Sequence, residues 1–88
     1  MKQAISIQPD VLSQTVDKEA VLLDLKNELY YGLNEVGARI WQLLQEDNSL
    51  EQIKEVLLEE YDVDETLLQK DLDTLVSALK QADLIRAG

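Results

Sequence analysis

The side chains in this sequence that could do chemistry are carboxylates and tyrosines. The chain has 88 residues with no cysteine and no histidine, which removes thiolate nucleophiles, imidazole bases, disulfides and the usual zinc ligands together. Carboxylates lie close together at Glu59-Glu60 and at Asp62 and Asp64, where they could bind a hard cation. The sequence around them does not have the pattern of an EF-hand loop. The sequence therefore predicts a protein that is not an enzyme and that needs no metal or other cofactor.

The two neighbouring tyrosines stand where the hydrophobic pattern of the chain changes, in the segment from Leu29 to Asn34. Upstream of it apolar residues recur at every second position, as in a strand, and downstream at every third or fourth, as in a helix. In a strand, Leu29, Tyr31 and Leu33 would share one face, with Tyr30 and Gly32 on the other. Asn34 is a good N-cap residue for the helix that follows.

Two further strands are predicted before this segment, which makes it the third strand. The first is irregular and runs from about Ala4 to Val16, with Pro9 at a bend, and the second runs from Ala20 to Leu25. A three-residue loop would keep one face of the hairpin wholly apolar, pairing Leu25 with Leu29, Leu23 with Tyr31 and Val21 with Leu33. Such a loop commonly puts one residue in the left-handed region, so Asn27 or Glu28 should carry a modest strain.

Three helices are predicted after the strands, each with an apolar face. They run from about Glu35 to Glu46, from a Ser49–Gln52 capping box to Tyr61, and from about Glu65 to Ala82. The inward residues are expected to be Val36, Ile40, Trp41, Leu43 and Leu44, then Leu50, Ile53, Val56, Leu57 and Tyr61, then Leu68, Leu72, Leu75 and Leu79 with Leu67 and Val76 on the flanks. Leu84-Ile85 should fold back to close the core, leaving Arg86-Ala87-Gly88 as a short tail. The predicted fold is α+β and winged helix-turn-helix-like, a three-stranded antiparallel sheet followed by three α-helices.

Composition narrows the function classes further. Eighteen acidic against eight basic residues give a net charge of −10, which disfavours nucleic acid as a partner. The acidity could serve solubility, attract a cationic peptide, or do both. The sequence has no apolar run of signal-peptide or membrane-spanning character, so we expect one domain over residues 1–88, in the cytoplasm, with no membrane partner.

The segment Val21–Leu44, which contains the run Tyr-Tyr-Gly-Leu-Asn and ends in Ile-Trp-Gln-Leu-Leu, resembles the PqqD family. These are small proteins that bind the leader peptides of ribosomally made, post-translationally modified peptides (RiPPs). The likeness continues through Ile53, Tyr61-Asp62-Val63 and Asp71-Leu72, and the wording is most similar to the stand-alone leader-binding proteins of lasso-peptide clusters. The resemblance implies a PqqD-like RiPP recognition element that grips a precursor's leader and presents it to a processing enzyme, in lasso clusters a leader peptidase. The family often has Gly just before the third strand, where this chain has Glu28.

The candidate peptide-binding residues lie on the third strand and the third helix: Leu29, Tyr30, Tyr31, Gly32, Leu67, Leu68, Asp71, Leu72 and Leu75. In the register above, the backbone groups of Tyr30 and Gly32 point away from the second strand, where an added strand could bind them. Tyr31 could equally be a core residue, and Asp71 a solvated helix charge. A peptide-binding module fits these features best. A DNA-binding winged helix has the wrong charge, and a chaperone or subunit for a radical SAM enzyme is the alternative.

Overall fold

The computed structural model describes residues 5–87, as an antiparallel sheet followed by helices. The elements are Ile5–Ile7 (β1), Val11–Val16 (β2), Glu19–Asp24 (β3), Leu29–Leu33 (β4), Glu35–Gln45 (α1), Leu50–Glu60 (α2), Glu65–Gln81 (α3) and Ile85–Ala87 (β5). β2, β3 and β4 form a three-stranded antiparallel sheet in that order, and β1 pairs with β5 in a separate two-stranded sheet. The predicted α+β class, with a three-stranded antiparallel sheet followed by three helices, is confirmed, and β5 after α3 was not predicted.

The predicted first strand is in fact two strands. A turn at Pro9-Asp10 separates β1 from β2, because proline has no N–H to give to a ladder and fits a bend better than a sheet. Ala4, where the strand was predicted to begin, lies outside the described residues. The two halves then join different sheets, so that β1 closes the molecule against β5 while β2 lies at one edge of the main sheet.

The predicted pairing of the β3–β4 hairpin is wrong by one residue. The structure pairs Leu22 with Tyr31 and Asp24 with Leu29, which leaves residues 25–28 as the turn. Ala20, Leu22 and Asp24 therefore face the core, whereas Val21 and Leu25 are exposed to 38% and 50%. The prediction put Asp24 on the face opposite the apolar one, but the turn gives its carboxylate three hydrogen-bond donors, which lowers the cost of burying it.

Each of the first two helices begins immediately after the residue predicted to cap it. Asn34 accepts a hydrogen bond from the Gly37 N–H at 2.8 Å, and Ser49 forms the predicted capping box with Gln52. Asp64 precedes α3 but makes no side-chain capping bond. Among residues 5–87, no helix is both long enough and apolar enough to cross a bilayer.

The core lies between the inner face of the sheet and the three helices. Its most deeply buried large side chains are Leu22, Ile40, Ile53, Leu57, Leu72, Leu79 and Ile85. The predicted closure of the core by Leu84-Ile85 is confirmed, since these residues are 3% and 1% exposed and Ile85 pairs with Ile7. Arg86 and Ala87 belong to β5, so they are not part of a free tail as predicted, and Gly88 lies outside the described residues.

Candidate functional site

Within residues 5–87, no strand pairs with the outer side of β4, which is therefore a free edge of the main sheet. The amide of Leu25 donates to the carbonyl of Asp10, in register with the β2–β3 ladder, so alternate β3 residues bond to β2. It follows that Ala20, Leu22 and Asp24 turn their backbone groups toward β4 and bond its residues Leu29, Tyr31 and Leu33. The N–H and C=O groups of Tyr30 and Gly32 then point away from the sheet. The backbone groups of Tyr30 and Gly32 thus point outward as predicted, although the register is different, because the backbone groups of Tyr31 still face β3.

A groove of about 330 Å³ runs along this edge, between β4 and α3, and is here called the β4–α3 groove. Its wall on the side of β4 and α1 is formed by Tyr31, Gly32, Leu33, Asn34, Val36, Gly37 and Ile40, and its opposite wall by Asp71, Thr74, Leu75 and Ala78. The lining is mostly apolar, with a few polar groups and one carboxylate. A strand added to β4 would therefore place alternate side chains in an apolar channel.

Four of the predicted site residues line this groove: Tyr31, Gly32, Asp71 and Leu75. Leu68 and Leu72 are only 3% and 2% exposed and belong to the core beneath α3. The other three, Leu29, Tyr30 and Leu67, are exposed to 58%, 77% and 55% and lie outside the groove lining. The structure thus brings together the middle of β4 with the flank of α3 that carries Asp71.

The contribution of α1 to the groove was missed by the sequence reading. Val36, Gly37 and Ile40 line it because α1 begins immediately after β4 and returns along the sheet. Gly37 permits this close approach, as a Cβ there would lie 3.3 Å from Asn34 Oδ1 and 3.4 Å from Leu33 Cβ. Thr74 and Ala78 could have been found from helical spacing, since they follow Asp71 at three and seven residues.

The outer face of the sheet carries a row of uncovered apolar side chains. Leu12, Leu23 and Tyr30 are neighbours across the three strands, and Leu12 and Tyr30 are exposed to 54% and 77%. No helix among the described residues packs on this side. A strand added beside β4 would extend this face by one more row.

A second, more polar concavity lies at the opposite edge of the sheet. It has a volume of about 580 Å³ and is lined in part by Ser13 and Thr15 of β2 and by Arg39 and Tyr61. Arg39 donates to both carboxylate oxygens of Glu60, at 2.8 and 2.6 Å, which lowers the pKa of Glu60. Burial raises the pKa of Tyr61, and the nearby Glu35 carboxylate adds to the effect. Arg39 and Glu60 of this concavity are thus paired with each other.

The carboxylates that were weighed as metal ligands are not gathered into a site. Within residues 5–87, no group of three or more histidine, cysteine, aspartate or glutamate side chains could hold a metal ion. Glu60 is instead held by Arg39. What the described part of the chain offers is a strand edge and an apolar groove.

Residues 19–85 match the family described as coenzyme PQQ synthesis protein D (PqqD), and the chain belongs to this family. Two solved structures are similar to nearly the whole chain. TbiB1 in complex with the TbiA(beta) leader peptide is 38% identical, with a TM-score of 0.86 over 92% of this chain and 94% of that chain. Lasso peptide synthetase B1 complexed with the leader peptide is 29% identical, with a TM-score of 0.82 over 93% of this chain and 96% of that chain. No curated protein matches the chain significantly.

Proposed function

We propose that this protein captures the leader of a ribosomally made precursor peptide and presents it to a processing enzyme, the leader peptidase of a lasso-peptide pathway. The leader adds as a strand to the β4 edge, beside α3. The observation that carries the proposal is the edge itself, where the backbone groups of Tyr30 and Gly32 point outward and Gly32 lines the β4–α3 groove. The two similar structures, both of proteins bound to leader peptides, support it.

In this proposal the leader is held by two kinds of contact. Its backbone bonds to Tyr30 and Gly32, which gives affinity for any extended peptide, and its alternate side chains enter the apolar groove, which selects among sequences. Tyr31 and Leu75 would touch those side chains, and Asp71 would meet a polar one. Leu68 and Leu72 would support the wall from beneath, and Leu29, Tyr30 and Leu67 would contact the leader only at the ends or the outer side of the groove.

The protein acts without chemistry of its own in this role. The chain has no cysteine and no histidine, and in this proposal the peptidase supplies the nucleophile or the activated water. We place it in the cytoplasm, where ribosomal precursors are made, as a single domain over residues 1–88 with neither nucleic acid nor membrane as a partner. Precursor incubated with the purified protein alone should keep its full mass by mass spectrometry, and appearance of a shortened product would count against a presenting role.

The edge can be tested with a matched pair of substitutions at Gly32. Gly32→Pro removes the outward N–H, whereas Gly32→Ala keeps it and adds a methyl group that meets nothing within 4 Å. We expect Gly32→Pro to fold and to lose leader affinity by about tenfold or more, from one lost hydrogen bond plus ring clash with the incoming strand. Gly32→Ala should bind nearly as the wild type does. Fluorescence anisotropy with labelled TbiA(beta) leader peptide measures both.

Two further variants identify which backbone groups and which edge are used. The amide of Tyr31 faces β3, so Tyr31→Pro should destabilise the sheet itself, which is read from its thermal unfolding. Thr15→Pro removes an outward N–H from β2, the opposite edge, and should leave leader affinity unchanged. Loss of binding in Thr15→Pro together with full binding in Gly32→Pro would move the site to β2 and overturn the assignment.

The alternative is a peptide chaperone or subunit for a radical SAM enzyme in quinone-cofactor or other modified-peptide biosynthesis. It is favoured by the family description, coenzyme PQQ synthesis protein D. Both functions use the same leader groove and differ in the enzyme that receives the peptide. A cyclase and a peptidase encoded beside a short precursor gene would support the lasso pathway, and a radical enzyme in their place would support the alternative.

A further inference from the structure

The β4–α3 groove contains one charged side chain, Asp71, on an otherwise uncharged wall. Asp71 is exposed, and the salt bridges found among residues 5–87, Arg39–Glu60 and Lys54–Glu65, do not involve it. It also makes no side-chain hydrogen bond in that range, whereas its neighbour Asp73 accepts one from Gln69. Asp71 is therefore an unpaired carboxylate that stands beside Leu75 and Thr74 in a groove open to a ligand.

We infer that the peptide bound in this groove carries a lysine or arginine whose side chain pairs with Asp71. This inference rests on the proposed function and names the substrate class of the same site. An incoming strand displaces water from the apolar walls, and a carboxylate that loses water without gaining a partner raises the free energy of the complex. A basic side chain removes that cost. The net charge of −10 acts in the same direction, since it attracts cationic peptides and repels acidic ones.

The geometry also indicates the spacing of the motif that is recognised. Asp71 and Leu75 are four residues apart on one face of α3, which corresponds to about 6 Å along the helix axis. Side chains on one face of a strand recur every two residues, at about 6.6 to 6.8 Å. A peptide strand that runs parallel to the axis of α3 would thus place one side chain against Asp71 and another against Leu75, two positions apart. We expect a basic residue and a large apolar residue in that relation, with the residue between them on the outer face of the sheet.

The test is a charge scan of a defined probe, the TbiA(beta) leader peptide, in which each residue is replaced in turn by lysine and by glutamate. Affinities are measured for the wild type, for Asp71→Asn and for Asp73→Asn, an exposed carboxylate on α3 that does not line the groove. We expect one peptide position at which the lysine variant binds the wild-type protein at least about fivefold more tightly than the glutamate variant does. That preference should be lost in Asp71→Asn, retained in Asp73→Asn, and weakened by added salt in the wild type.

The outcomes separate this inference from the proposed function. Scan profiles that are the same for the wild type and Asp71→Asn would overturn the inference, while binding of the unmodified peptide would still support leader capture. A lysine preference that disappears in Asp73→Asn instead would show that the cation is read outside the groove, and it too would overturn the inference. Failure of every peptide to bind the wild type would count against the proposed function, and the inference would fall with it.

Discussion

At the scale of single residues, Asp24 determines the turn and the register of the β3–β4 hairpin. Its side chain is 5% exposed, yet it accepts bonds from the Lys26 N–H, the Asn27 N–H and the Asn27 side-chain amide, at 3.0, 3.3 and 2.8 Å. Three donors compensate for much of the water that the carboxylate loses. The bonds also fold residues 25–28 into the turn, and the turn fixes which face of β4 looks inward.

The pH dependence of stability should report this carboxylate. The hydrogen bond from the Asn27 side chain lowers the pKa of Asp24 below its ordinary 3.8, so its contribution is complete above that value and is lost as pH falls through the lowered pKa. Asp24→Asn should therefore be less stable than the wild type near neutral pH, by a margin that shrinks in acid. Urea unfolding from pH 6 downward measures the margin. Glu55→Gln, at an exposed position, is the control, and a margin independent of pH would contradict the assignment.

Glu28 bears the strain that was predicted for the same turn. Its φ of 55° lies in the left-handed region, where a side chain with a Cβ costs energy that glycine does not. The sequence had left open whether Asn27 or Glu28 would adopt this conformation. Asn27 is instead used to hold Asp24 through its side-chain amide, which leaves Glu28 to make the bend into β4.

At the scale of elements, the helices were predictable and the strand pairing was not. Helix starts depend on local chemistry, so Asn34 and Ser49 could be read directly from the sequence. Strand register depends on which residues are buried, and a buried carboxylate such as Asp24 looks like a surface residue until its donors are known. Because the side-chain period of a strand is two, the one-residue error in register exchanged the inner and outer faces of β3. It did not change the prediction that the backbone groups of Tyr30 and Gly32 point away from the sheet.

The groove was also predictable only in part, where local patterns determine it. The strand edge could be predicted from the order of the elements. That Asp71 and Leu75 lie on one face of α3 could be predicted from their helical spacing, and both line the groove. Leu68 and Leu72 were assigned to the groove because they share a helix with Asp71, but a stripe that covers the core has little surface left for a ligand. The part formed by α1 depends on how that helix packs behind β4, which no local pattern encodes.

The capping box of α2 gives a prediction that separates stability from binding. Ser49 accepts the Gln52 N–H at 3.2 Å, and the Gln52 side chain accepts the Ser49 N–H at 2.9 Å. Ser49→Ala leaves one of these donors unpaired and should lower the free energy of unfolding by about 0.5 to 2 kcal/mol. Because α2 contributes no residue to the β4–α3 groove, leader affinity at a temperature where the variant is folded should equal that of the wild type. A loss of affinity without loss of stability would implicate α2 in recognition.

At the scale of the whole molecule, the two edges of the main sheet differ in what lies beside them. β4 opens on a groove with mostly apolar walls and the carboxylate of Asp71, whereas β2 opens on a more polar concavity that holds the Arg39–Glu60 ion pair and is also lined by Asp17, Lys18 and Glu35. An added strand gains more from the first, because it buries apolar side chains there and removes fewer charged groups from water. Of the two edges, β4 is thus the one better suited to a peptide. The chain segments before and after the main fold, β1 and β5, pair with each other in a separate sheet.

The charge of the molecule sets a final expectation, because winged helix-like folds are also used to bind DNA by placing a helix in the major groove. On α3, Lys70 and Lys80 are outnumbered by Glu65, Asp71 and Asp73, and the whole chain carries −10. DNA affinity comes largely from basic residues that neutralise phosphates, and even non-specific binders reach about 10⁻⁴ to 10⁻⁶ M. We therefore expect a dissociation constant weaker than about 10⁻⁴ M for a short duplex at about 0.15 M salt, measured by anisotropy. Micromolar affinity that strengthens as salt is lowered would contradict this expectation, since it would require a basic surface that neither α3 nor the net charge provides.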